Sequence, residues 1–380
     1  MTNKVLVIAL AAIIIASGVG VAVLSGAFNT DEDYKISIVD GSGKTIKLKE
    51  PLTGIITGNT NVPKACNILG LNDLVKGLSF YSSSSDSSNW DRFSSLFPNA
   101  KHMSPEKTLT AEEILPVAEA IIVPVNSMTV STAQEKSYNE MGITVIRLDC
   151  YGDTMRDDMN KLTILFGEKE DTLQNFNNYW NMFDSVKNTV ISKVKEVGGL
   201  DEMRFLYFYG SMDAFYNQTS ESSDLVESIA GKNALREIDN LDLTKISNDA
   251  EQLGLYEKII ALDDANPIDY LFIRGSTTTV TTDDAVALFK DSELFKSYSD
   301  LSVFDTDKTY MFNSELMSGG LSYMAYVIIA EILGVDTGYN TTEMIEQFNE
   351  KYKVDEPTTG IAFHIVVSGS VVTATELSYT

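Results

Sequence analysis

The sequence predicts an α/β protein of two Rossmann-like three-layer lobes bridged by one long α-helix, preceded by an N-terminal membrane-spanning segment. Three observations predict it. Short apolar strands alternate with helical stretches on both sides of residue 180, which implies parallel or mixed sheets covered by helices. Between the two alternating regions, residues 170–197 carry Leu173, Phe176, Trp180, Phe183, Val186, Val190 and Val194 at spacings of three and four, one face of a single helix. Residues 5–30 carry no charge, enough for the roughly 20 apolar residues of a spanning helix. A chain of 380 residues also exceeds a single core. The division is residues 1–30 as transmembrane anchor or signal segment, 31–169 as the first α/β lobe, 170–197 as the connecting helix, and 198–380 as the second lobe with extra C-terminal strands.

The elements follow in order. Lys4 precedes the apolar run and Asp31, Glu32 and Asp33 follow it. Positive residues stay inside, so the bulk of the chain is expected outside the cell membrane. A cleaved signal peptide, with its shorter apolar core of roughly 7–15 residues, is the alternative. No cysteine follows the run to carry a lipid. YKISIVDGSGKTIKLKEP reads as a hairpin turning at Asp40-Gly41-Ser42-Gly43. GIITGN is a strand, residues 66–71 a short helix, and 74–81 a strand that runs into the polar stretch SSSSDSS. Residues 111–124 read as a helix entering a strand, and 142–149 as a further strand. The 28 residues of the connecting helix extend about 42 Å at 1.5 Å per residue, and Gly198-Gly199 stops it. Strands at 203–210, 269–275 and 308–313 then alternate with helices at 221–237, 282–298 and 320–334. TGIAFHIVVSGSVVTATEL adds one or two strands.

Composition excludes several functions. With 54 acidic against 29 basic residues, the net charge of -25 repels a nucleic-acid backbone. Two histidines, His102 and His364, and two cysteines, Cys66 and Cys150, form no cluster with zinc spacing, so a protein-only zinc site is not expected. A disulfide between those cysteines and a pair of buried thiols both stay open. No glycine-rich dinucleotide or triphosphate loop, serine elbow or H-E-x-x-H occurs, so those enzyme readings have no motif here. Paired carboxylates follow from composition alone.

Loops beyond the carboxyl ends of strands are where open α/β sheets bind ligands. In the first lobe they carry Asn59, Asn61, Tyr81, Asn126, Tyr151 and Asp153, with Trp90 in the polar stretch after Tyr81. In the second they carry Tyr209, Phe215, Tyr216, Arg274, Asn313, Glu315 and Met317. Aromatic area joined to amides and hydroxyls suits binding rather than turnover. Arg274 ends an otherwise apolar strand, where a cation needs an anionic partner or water.

The ordered motifs resemble the substrate-binding proteins of cobalamin, haem and iron-siderophore importers, whose two lobes are joined by a long helix. The resemblance runs over residues 34–336, through YKISIVDGSGKTIKLKEP, NILGLNDLVKGLS, PNAKHMSPEKTLTAEEILPVAEAIIVP, GITVIRLD, the long helix, SDLVESIAGKNALREI, LYEKIIALDDANPIDYLFI and SELFKSYSDLSVFDTDKTYMFNS. It implies a monomeric extracytoplasmic binding protein that passes a small ligand to an ABC permease dimer and its ATPase subunits. The ligand it implies is an iron or cobalt chelate with no covalent cofactor; bare iron held by tyrosines and carboxylates is the alternative. It also implies one docking glutamate per lobe, Glu112 opening the helix before Val123 and Glu257 opening the helix before Asn266-Pro267. The chain departs from the pattern where Ala118-Glu119-Ala120 replaces proline-aspartate, in its anchor without a lipid cysteine, and in continuing past residue 336. A cell-surface receptor or adhesion module without transport, and a metal-cofactor enzyme relative, are the competing readings.

Overall fold

Strand-forming residues collect into a hairpin and two separate sheets in the computed structural model, which describes residues 34–80, 83–125, 130–210, 214–215, 221–239, 241, 249–276, 281–298, 300–356 and 358–377. The hairpin pairs β1 (Ile36–Val39) with β2 (Thr45–Leu48) antiparallel. Asp40 closes its turn: Oδ1 accepts from Ser42 N at 3.0 Å and Lys44 N at 3.0 Å, while Oδ2 accepts from Arg147 N at 3.1 Å. The same carboxylate thus shapes the turn and fastens it to the first sheet. Gly41 is required there, because a Cβ would run into Val125.

The first half of the chain builds β3 (Ile55–Thr57), α1 (Asn61–Leu69), β4 (Val75–Leu78), α2 (Ser83–Ser94), β5 (Lys101–His102), α3 (Ala111–Ile114), β6 (Ala120–Val123), α4 (Thr132–Glu140), β7 (Thr144–Arg147) and α5 (Met155–Leu165). The five strands run parallel in the order β5-β4-β3-β6-β7. Every residue of β3 and β6 is buried, as helices on both faces require. Then α6 (Glu170–Val197) runs 28 residues and ends at Gly198 and Gly199, both at positive φ.

The second half builds β8 (Arg204–Tyr209), β9 (Ala214–Phe215), α7 (Glu221–Ile229), β10 (Lys232–Asn233), α8 (Asp249–Ala265), β11 (Tyr270–Arg274), α9 (Thr282–Asp291), α10 (Glu293–Ser297), β12 (Thr309–Phe312), α11 (Ser314–Ser318), α12 (Ser322–Ile332), α13 (Thr341–Tyr352), β13 (Ala362–Ser368) and β14 (Val371–Glu376). The sheet order is β10-β8-β11-β12-β13-β14, with β9 beside β8. The first four are parallel and the last two antiparallel. The C-terminal residues therefore extend this sheet.

Some sequence expectations change. The helix expected over 221–237 stops at Ile229, because Gly231 turns at φ 72 and Lys232–Asn233 pair with β8. The helix expected over 282–298 divides at Ser292, whose extended backbone ends α9. The polar stretch after Tyr81 contains a helix, α2. Glu257 lies inside α8, not at its start, because helix-compatible residues carry it back to Asp249. Cys66 and Cys150 are buried free thiols, so the disulfide alternative gives way. Burial pushes the Cys66 thiol up to about 12.

The two halves do not pack independently. One apolar cluster runs from Ile55 and Ile122 through Tyr179, Val186 and Val190 of α6 to Phe272, Phe312 and Ile328. The reason is α12, which is buried from Ser322 to Ala330 and needs apolar neighbours all round. It packs on α6, where Tyr179 Oη donates to Gly320 O at 2.9 Å. Among the described residues, no helix is long and apolar enough to cross a membrane. The expected anchor, residues 1–30, lies outside the described residues.

Candidate ligand-binding site

Each sheet has one point where chain order reverses, and the gaps beside such reversals are where side chains at strand ends can meet a ligand. In the first sheet β3 sits between β4 and β6; in the second β8 sits between β10 and β11.

At the end of β3, Asn59 Oδ1 accepts from Asn61 N and Val62 N, both at 2.8 Å, which caps α1 and fixes the amide. Its Nδ2 is buried and finds no acceptor among the described residues. An orphan donor at this position is costly unless something fills it. Glu106 is 1 % exposed and lies against Gly58, where any Cβ would run into its Oε1. Tyr151 is half-buried and leads into a 3-10 turn that packs on α7 of the other half. At the end of β7, Asp149 accepts from Val125 N at 2.9 Å, and burial raises its carboxyl above the usual range.

In the second sheet, Arg274 and Tyr209 are register partners at the ends of β11 and β8. The Arg274 guanidinium carbon lies 4.8 Å from the centre of the Tyr209 ring, a cation over an aromatic face. Asn313 follows β12 and is 2 % exposed, its backbone N donating to Ile361 O at 2.8 Å.

Other sequence candidates fall elsewhere. Trp90 lies on α2 and stacks on His102 of the edge strand β5, with centroids 4.7 Å apart. Met317 is 1 % exposed and belongs to the core, which accounts for its apolar side chain by packing. Asn61 opens α1 beside Asn59. Tyr81, Asn126 and Tyr216 lie outside the described residues.

Of the two docking candidates, Glu112 is exposed in the first turn of α3. The cap of that helix belongs to its neighbour Glu113, whose carboxylate accepts from Thr110 N at 2.9 Å and Ser104 Oγ at 2.6 Å. Those bonds, the Ser104 hydroxyl first, hold Glu113 below the usual range. Glu257 is exposed on α8.

A cavity of about 610 Å³ opens between the halves, lined by α1 and α2 on one side and by Asn313, Leu321, Phe348 and residues 353–356 on the other. Its size suits a small organic molecule. Sequence reasoning missed Glu106, Arg92 and Glu356: 54 acids hide the first, and nothing local pairs residues 264 positions apart. Among the described residues, no three metal-ligating side chains stand together.

No protein-family model and no curated protein matches the chain. Among solved structures it is similar to the TroA-like periplasmic binding protein FepB from Veillonella parvula, at 16% identity and a TM-score of 0.58, over 87% of this chain and 99% of that one. It is similar to a periplasmic heme binding protein from Pseudomonas aeruginosa, at 11% identity and 0.52, over 87% and 99%. It is also similar to the iron uptake ABC transporter substrate-binding protein PiuA from Streptococcus pneumoniae, at 13% identity and 0.51, over 80% and 99%. The chain therefore has the two-lobed TroA-like α/β fold.

Proposed function

We propose that the chain is an extracytoplasmic solute-binding protein that captures a metal chelate, of the iron-siderophore, haem or cobalamin class, and delivers it to an ABC importer. The observation that carries this reading is Arg274 over the Tyr209 ring at the second reversal point, in a fold whose solved examples bind solutes. A cation already held over an aromatic face can receive an anionic group without reordering a long side chain. Across the chain, Asn59 Nδ2 offers a buried donor whose bond a ligand oxygen would complete. A chelate brings its own metal ligands, which suits a chain with two histidines and two buried thiols. The uncharged run at residues 5–30 would tether the protein to the membrane, and Glu112 and Glu257 would meet basic residues of the permease.

Calorimetric titration with an iron-siderophore, haem, cobalamin and free ferric ion tests the reading. One chelate should bind at one per chain. Arg274→Ala should weaken that binding by about 10- to 100-fold, the worth of a charge-assisted hydrogen bond, with little change in Tm. If none of the four binds to folded protein, the reading is withdrawn; if affinity is unaltered while Tm falls, Arg274 is structural.

A further inference from the structure

The C-terminal strap between α13 and β13 crosses back to the first half of the chain. Asn67 Nδ2 on α1 donates to Tyr352 O at 2.8 Å. On α2, Arg92 Nη2 donates to both oxygens of Glu356, at 2.7 Å and 2.6 Å. The Glu356 side chain is only 6% exposed. Its backbone is fixed separately: Asn349 Nδ2 donates to Glu356 O at 2.7 Å, and Glu356 N donates to Asn349 Oδ1 at 3.0 Å. The Glu356 carboxylate can therefore rotate away from Arg92 while its backbone stays in place.

This ion pair stands in the wall of the 610 Å³ cavity. Two further cations line the same space, Lys64 from α1 and Lys353 from the end of α13. In a chain of 29 basic and 54 acidic residues, cations from three elements converging on one cavity depart from what composition scatters. Asp91, Asp355 and Glu356 line it too, so the lining carries three positive and three negative side chains. Moving the Glu356 carboxylate out leaves the lining one positive charge in excess. The space then matches a small carboxylate in both volume and sign.

We propose that this cavity is a carboxylate-binding pocket anchored by Arg92, and that Glu356 fills the anchor until a solute carboxylate displaces it. The proposal rests on the reading that the chain receives a solute, adds a cavity that Arg274, Tyr209 and Asn59 do not line, and adds the chemistry: a compact di- or tricarboxylate, free or as part of a chelate. Glu356 is the internal competitor, so apparent affinity is reduced by the share of molecules in which it occupies Arg92.

Titration calorimetry with citrate, succinate and uncharged succinamide as probes, on the full chain, tests it. Citrate should bind at one per chain, and Glu356→Gln should tighten it about tenfold by removing the competitor. Arg92→Gln should abolish binding, as should Arg92→Gln/Glu356→Gln, which leaves no buried charge unpaired and so keeps the fold. Succinamide should not bind. Citrate binding equally well to either Arg92 variant would overturn the pocket, as would succinamide matching succinate, or folded Glu356→Gln ignoring citrate. A chelate that binds with its affinity untouched by Arg92→Gln, while citrate does not bind, would overturn it and leave the transport reading standing. Citrate binding lost in Arg92→Gln upholds it even where no chelate binds.

Discussion

Tyr179 reports directly on whether the two sheets share one core. It is fully buried on α6, its ring edge-on to Tyr323 and its hydroxyl bonded to Gly320 O at 2.9 Å. Tyr179→Phe keeps the ring and leaves that buried carbonyl without its donor, a loss of about 1–3 kcal/mol. Tyr179→Ala also opens a cavity, for a total of about 3–5 kcal/mol. Unfolding entropy of about 2.1 cal/mol/K per residue over the unit Lys35–Thr380 makes each kcal/mol about 1.4 °C of Tm. Differential scanning calorimetry should therefore show about 1.5–4 °C lost for the phenylalanine and about 4–7 °C for the alanine. Both variants should melt in one transition, because the apolar cluster passes from the first sheet through α6 to the second. Two resolved transitions, with only one displaced, would refute the shared core. So would an unchanged Tm in both variants.

Three other outcomes are expected. Burial, with a smaller push from Asp336 and against the Thr337 hydroxyl, raises the Glu331 carboxyl to about 7. A folded value above the unfolded one stabilises fully at low pH and is lost as pH rises through about 7, so Glu331→Gln should raise Tm at about pH 8 and match the natural chain near pH 4.5; a pH-independent difference would contradict this. Asp158 is 1 % exposed and accepts from Asp149 N, Cys150 N and Thr154 Oγ1, each at 3.0 Å, while pairing with Lys161 at 3.3 Å. Asp158→Ala strands those groups and should cost about 3–5 kcal/mol, with amide exchange rising first at residues 149–154; unchanged exchange there would remove that role. Reversing both Glu112 and Glu257 should impair uptake by cells while leaving chelate affinity in solution intact, and normal uptake would end the docking proposal.

The two sheets were legible because buried parallel strands such as AIIV and FLYFY read as apolar runs, and α6 because its spacing held for 28 residues. Other elements carried weaker signals. The serine-rich start of α2 has low helix propensity, so SSSSDSS reads as loop. α5 does show Met155, Met159 and Leu162 on one face, a pattern masked by its charged neighbours. Lys232–Asn233 are too short to register as a strand and exist through pairing with β8. Among the candidate ligand residues, Arg274 is legible as a charge ending an apolar strand, and its guanidinium lies over the Tyr209 ring. Glu106 and the Arg92–Glu356 pair have no local sequence signature, since tertiary packing alone brings their partners together.

Native mass spectrometry of the protein purified from its own host tests solute capture most directly. One organic metal chelate should be retained per chain, with the isotope pattern of its metal, and released when the fold is lost. Folded protein that carries no added mass, and takes up none when supplied with siderophore-bound iron, haem or cobalamin, would contradict it.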